Sequence, residues 1–80
     1  MSEAVLPGLS MSEEDQNRYR SLIRGSIDAS SIQGARDARA FLIYWRAWWK
    51  QATDSQRDNA HFMPLVLAMA MVVPLEPVSG

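Results

Sequence analysis

Eighty residues with eight Lys plus Arg, nine Asp plus Glu, one His and no Cys bound the chain to one small domain of net charge −1. That size excludes a multidomain enzyme, and the lack of cysteine excludes a disulfide framework or thiolate metal site and points to a reducing, cytoplasmic setting. Hydrophobic residues at 48% and charged residues at 21% exclude an intrinsically disordered chain.

Residues 1–9 show no period, and the Pro7-Gly8 pair marks a turn, so this stretch reads as a flexible arm without the cationic start of a signal peptide. Ser10 with Glu13 and Ser12 with Asp15 stand at capping-box spacing and open a first helix. Glu13, Glu14 and Asp15 lie near its positive end, and Arg18, Arg20 and Arg24 towards its negative end. Tyr19, Leu22 and Ile23 form its apolar stripe, and Gly25 stops it. The small, polar residues 26–34 read as a connector with room for one helical turn.

From Ala35 to Ala52 no glycine or proline interrupts an alanine-rich segment, which predicts the strongest helix of the chain. On it Ala38, Phe41, Leu42, Trp45, Trp48, Trp49 and Ala52 fall in one stripe about 120° wide at 100° per residue. Thr53, Asp54 and Ser55 interrupt that pattern and can cap a third helix in a tight hairpin, with Ser55 and Asp58 at capping-box spacing. Pro64 predicts a kink or restart within it. Leu65 to Val73 is apolar at every position, so the segment asks for cover on all sides. The uncharged run Phe62 to Leu75 is fourteen residues long. It falls short of the roughly 20 that span a bilayer, so no transmembrane segment is expected.

The predicted fold is therefore all-α, with three main helices over about 12–25, 35–52 and 55–72, the third broken near Pro64. The domain covers residues 10–74, between the arm at 1–9 and a tail at 75–80.

Catalysis has little to work with. His61 is the one histidine, no ligand cluster accompanies it, and a metal site needs three or four ligands. Glu13, Glu14 and Asp15 point in different directions on a helix and are explained as caps. The four glycines are scattered, so no phosphate-cradling loop is present. These features predict neither enzyme activity nor a metal or cofactor.

Binding is the better expectation. Three tryptophans share one helix with Phe41, Leu42, Ile43 and Tyr44, and a chain this small buries only about 60–65% of its extended surface. One short partner helix is not expected to cover both this segment and Leu65–Val73, so some apolar surface should meet another chain. The expectation is a homodimeric adaptor, chaperone or inhibitor that docks on a larger protein through Tyr44, Arg46, Trp48 and Trp49, with Phe41 and Trp45 internal. The alternative is a dimeric nucleic-acid-binding regulator. Arg39, Arg46 and Lys50 project within about 40° of one another, with Arg36 adjoining, and would contact phosphates.

Overall fold

The computed structural model describes Leu6 and residues 8–72. Over those residues the chain forms four α-helices, α1 (Glu13–Arg24), α2 (Ala35–Gln51), α3 (Asp54–Asp58) and α4 (Met63–Val72), with a 3-10 turn at Ala29–Ser31 between α1 and α2. The all-α expectation holds. The expected third helix is instead two, and its interruption precedes Pro64.

Each helix boundary has a local cause. At the start of α1 the Ser12 hydroxyl accepts a hydrogen bond from the Asp15 amide at 3.1 Å, satisfying a donor that the first turn leaves free. At its end Gly25 adopts φ +79°, the Gly25 amide donates to the Leu22 carbonyl and the Ser26 amide donates to the Ser21 carbonyl. This is the Schellman arrangement, in which a left-handed residue satisfies carbonyls that the last turn would otherwise orphan. The 3-10 turn is the single helical turn for which the connector had room.

Helix α2 has glycine at its N-cap and no side-chain cap there. Asp37, in the first turn, takes over: its Oδ2 accepts from the Gln33 amide at 3.0 Å. At the other end the Arg57 guanidinium donates two hydrogen bonds to the Trp49 carbonyl, at 3.1 and 2.8 Å, and the Gln51 side-chain amide donates to the Trp48 carbonyl. Helix α3 is capped by Thr53, one of the three expected cap residues, in a capping box with Gln56 and not through the Ser55–Asp58 spacing. Thr53 is the first polar residue after the apolar stripe, so it reaches the orphan amides before Ser55 can.

The segment between α3 and α4 turns the chain back. The His61 amide donates to the Ile23 carbonyl at 2.7 Å and ties this turn to the end of α1. Pro64 then occupies the second residue of α4. An amide in the first turn has no intrahelical acceptor, so proline costs nothing there and initiates the helix instead of kinking it.

Helix α2 is the central element, touching α1 along one flank and, most extensively, α4 along another, while α4 also meets α1 and the 3-10 turn. The core consists of Tyr19, Leu22 and Ile23 from α1, Ile32 from the connector, Ala38, Phe41, Tyr44, Trp45 and Trp48 from α2, Ala52 after it and Ala68 from α4. Leu6 joins them. Its amide donates to Oε1 of the buried Gln16 at 2.7 Å, while the Gln16 side-chain amide donates to the Met11 carbonyl. The arm expected to be flexible over residues 1–9 is thus held at Leu6. Residues 1–5 and 7, and the expected tail at 75–80, lie outside the described residues.

Candidate interaction surfaces

The aromatic stripe of α2 is arranged as a ladder that faces inward. Tyr19 meets Phe41 edge to face at 5.6 Å and lies 6.0 Å from Tyr44. Trp45 is 6.2 Å from Phe41, 5.9 Å from Trp48 and stacked on Trp49 at 5.8 Å with 15° between the planes. Phe62, just before α4, closes the ladder by edge contacts to Trp45 at 5.3 Å and Trp49 at 5.9 Å. Such offset and edge-on pairs match the ring quadrupoles and add to the gain from burial alone.

This ladder corrects the expected docking residues. Tyr44 is 0% exposed and Trp48 6%, so neither presents a surface to a partner. Phe41 and Trp45 are internal, as expected. The reason is coverage: α1 sets Tyr19 against Tyr44 at the edge of the stripe, and the hairpin folds α4 back on the side that α1 leaves open. Trp49 is partly buried, with the Arg57 guanidinium 5.1 Å from its ring centre, and Arg46 is exposed. Of the four expected docking residues, only Trp49 and Arg46 therefore reach the surface.

A polar node without a local sequence signal joins α1 to α2. The Arg18 guanidinium grips Asp37 with two hydrogen bonds of 2.9 Å, and the Tyr19 hydroxyl donates to the same carboxylate. The Arg18 hydrogen bonds hold the Asp37 carboxyl well below the usual carboxylate range, aided by those from Tyr19 and Gln33 and opposed by burial. Burial pushes the Tyr19 phenol up, and its hydrogen bond to Asp37 adds to the rise. The node's roles are to start α2 and to lock two helices together. An acid in the first turn of α2 was visible in the sequence, but its partners 18 and 19 residues away were not.

The outward surface has two contrasting faces. On α4 and the residue before it, Phe62 is 47% exposed, Met63 60%, Val66 58% and Met69 48%, and no charged residue stands between Phe62 and Val72. The spacing places them on one side of the helix, opposite the buried Pro64 and Ala68. The expectation that Leu65–Val73 has no solvent face is corrected by this half-open helix. Val73 lies outside the described residues.

On the outer face of α2, Arg36, Arg39, Arg46 and Lys50 are all exposed, and Ile43 stands among them with 52% of its surface open. Among the described residues none of these four cations is within ion-pair distance of an acid.

Chemistry-bearing groups do not converge elsewhere. Among the described residues no group of three His, Asp or Glu is placed to hold a metal ion, and no helix is long and apolar enough to cross a membrane. An open cleft of about 600 Å³ between α1 and the α3 region is lined by Arg20, Arg24, Gln56, Asn59 and Trp48 among others, with no histidine or carboxylate in its wall. His61 is exposed, and its backbone serves the tie to Ile23. No protein-family model, curated protein or solved structure matches the chain, which leaves its two outward faces as the guide to what it does.

Proposed function

We propose that the chain is a small, non-enzymatic docking module of the cytoplasm that pairs with a second copy of itself and serves a larger protein as an adaptor, chaperone or inhibitor. One observation carries this reading: the uncharged α4 face formed by Phe62, Met63, Val66 and Met69 is left open to water although the aromatic core beside it is dry. Contiguous apolar patches of this kind mark association surfaces. A face without a single charge is best matched by another uncharged face, and a second copy provides one through a two-fold contact. Tyr44 and Trp48 are buried and take no part in docking, and Trp49 contributes as the partly open end of the aromatic ladder.

Phosphate binding by Arg36, Arg39, Arg46 and Lys50 is the weaker reading. The chain is acidic overall, and Ile43 interrupts the cationic face at its centre.

Sedimentation over a wide concentration range tests the proposal. Wild type is expected to shift from monomer to dimer as concentration rises, and Val66→Glu is expected to remain monomeric with unchanged helicity. A wild-type chain that stays monomeric throughout, or a dimer that Val66→Glu leaves intact, would overturn the assignment of α4.

A further inference from the structure

Apart from Gln51 at its C-terminal end, the exposed residues of α2 lie at positions 36, 39, 43, 46 and 50. Their steps are three, four, three and four, so the row averages 3.5 residues per turn and keeps within an arc of roughly 80° over about 21 Å of helix. This is the spacing with which one helix follows another at a shallow crossing angle. Its chemistry is the reverse of an ordinary coiled-coil seam. Two cations, Arg36 and Arg39, stand on one side of Ile43, and two more, Arg46 and Lys50, on the other.

Helix stability does not explain the row. Lys50 sits in the last turn, where a cation complements the helix dipole, but Arg36 is in the first turn, where a cation opposes it. Asp37, the acid of that turn, is turned away and held by Arg18 and Tyr19. The face therefore keeps four positive charges without a counterion among the described residues, around one protruding branched aliphatic side chain.

We propose that this face binds an acidic amphipathic helix of another protein, with carboxylates opposite the two cation pairs and an apolar residue packed on Ile43. The inference rests on the reading of the chain as a docking module and identifies the kind of partner it accepts. Charge complementarity selects the acids, and the 3-4 spacing selects a helix over an extended chain. Nucleic acid offers the negative charge but nothing for Ile43, because a backbone-tracking surface gains from cations and from flat rings on which bases stack.

The test uses a fluorescent synthetic helix with Glu at the four positions facing the cations and Leu facing Ile43, a second peptide with Lys in place of each Glu, and mixed-sequence single- and double-stranded DNA. Anisotropy is followed with the wild type, Ile43→Asp and a chain with all four cations reversed, Arg36→Glu/Arg39→Glu/Arg46→Glu/Lys50→Glu, all substitutions being on exposed positions so that helicity can be checked beside binding. The wild type is expected to bind the Glu peptide and to reject the Lys peptide. Ile43→Asp should weaken binding by about tenfold or more. The charge-reversed chain should lose the Glu peptide and gain the Lys peptide, a swap that unfolding cannot mimic.

Absence of Glu-peptide binding, or binding unaffected by both substitutions, would overturn the proposal. So would DNA binding that Ile43→Asp leaves intact. Repeating the titration with the Val66→Glu chain separates the two faces: failure of α4 self-association leaves peptide binding unchanged, while failure on α2 leaves the dimer unchanged.

Discussion

Helices α2 and α4 are both rich in apolar residues, yet they end in opposite states. Helix α2 carries Phe41, Tyr44, Trp45 and Trp48 and buries all four, whereas α4, with no charge at all, leaves Met63, Val66 and Met69 about half open. Position explains the difference better than hydrophobicity. Helix α2 lies against neighbours on two flanks, and its polar residues occupy the side that remains. Helix α4 lies at the edge of the fold and covers α2 with one side, and among the described residues nothing covers the other. Burial is thus a property of where a helix sits among its neighbours, and an apolar helix at the edge becomes a surface by default.

This contrast predicts a graded series of effects. The largest is expected inside the ladder: Trp48→Ala should cost about 3–5 kcal/mol, a large share of the stability of a domain this size, read as a lowered midpoint in urea. Loss of binding in such a variant would report unfolding and not a missing contact. Unchanged stability would show that the indole is not part of the core.

The Asp37 node comes next. Asp37→Asn should cost about 1–3 kcal/mol, because the anion that Arg18 pairs with is lost and one of the two acceptor oxygens shared by Arg18 and Tyr19 becomes an amide donor. The effect depends on pH. The carboxyl titrates lower in the folded chain than in the unfolded one, so its contribution is complete above the unfolded pKa of about 3.9 and is lost as pH falls through the depressed folded value. Wild type and Asp37→Asn should therefore converge in stability in strong acid. Tyr19 has the opposite sign: its folded pKa is raised, so its contribution is complete below about pH 10 and is lost as pH rises beyond that. Denaturation midpoints measured across pH for the two chains check both limbs.

A smaller effect is expected at the hairpin. Arg57→Ala removes both donors to the Trp49 carbonyl and the cation over its ring, and should cost about 0.5–1.5 kcal/mol. Tryptophan emission should shift to the red as Trp49 gains water. The smallest effect is on the open face, where Val66→Ala should change the stability of the monomer by less than about 0.5 kcal/mol. A loss near that of Trp48→Ala would place Val66 in the core and erase the contrast between the two helices.

Much of the local structure was legible because it depends on neighbours in sequence. Ser12, Gly25 and the unbroken run from Ala35 act through one or two turns of backbone, so capping spacing and periodicity locate them. The candidate surfaces were only half legible. The cationic face follows from helical angles, and the apolar content of α4 from composition, but which aromatic residues are dry depends on how the hairpin closes. Trp48 is dry because α2 and α4 cover each other, while the far side of α4 has no cover among the described residues.

By itself, the sequence determined an all-helical chain, the positions of its first two helices and the cationic row along α2, since each follows from dihedral preferences, capping chemistry and helical period acting over a few residues. Tertiary structure alone decided that Tyr44 and Trp48 turn inward, that Asp37 joins Arg18 and Tyr19, and that α4 rather than the tryptophans faces water. The reason is that exposure is a relation between segments: a side chain's angle on its own helix is local, but what stands opposite it is set by the chain reversals that bring other helices against it.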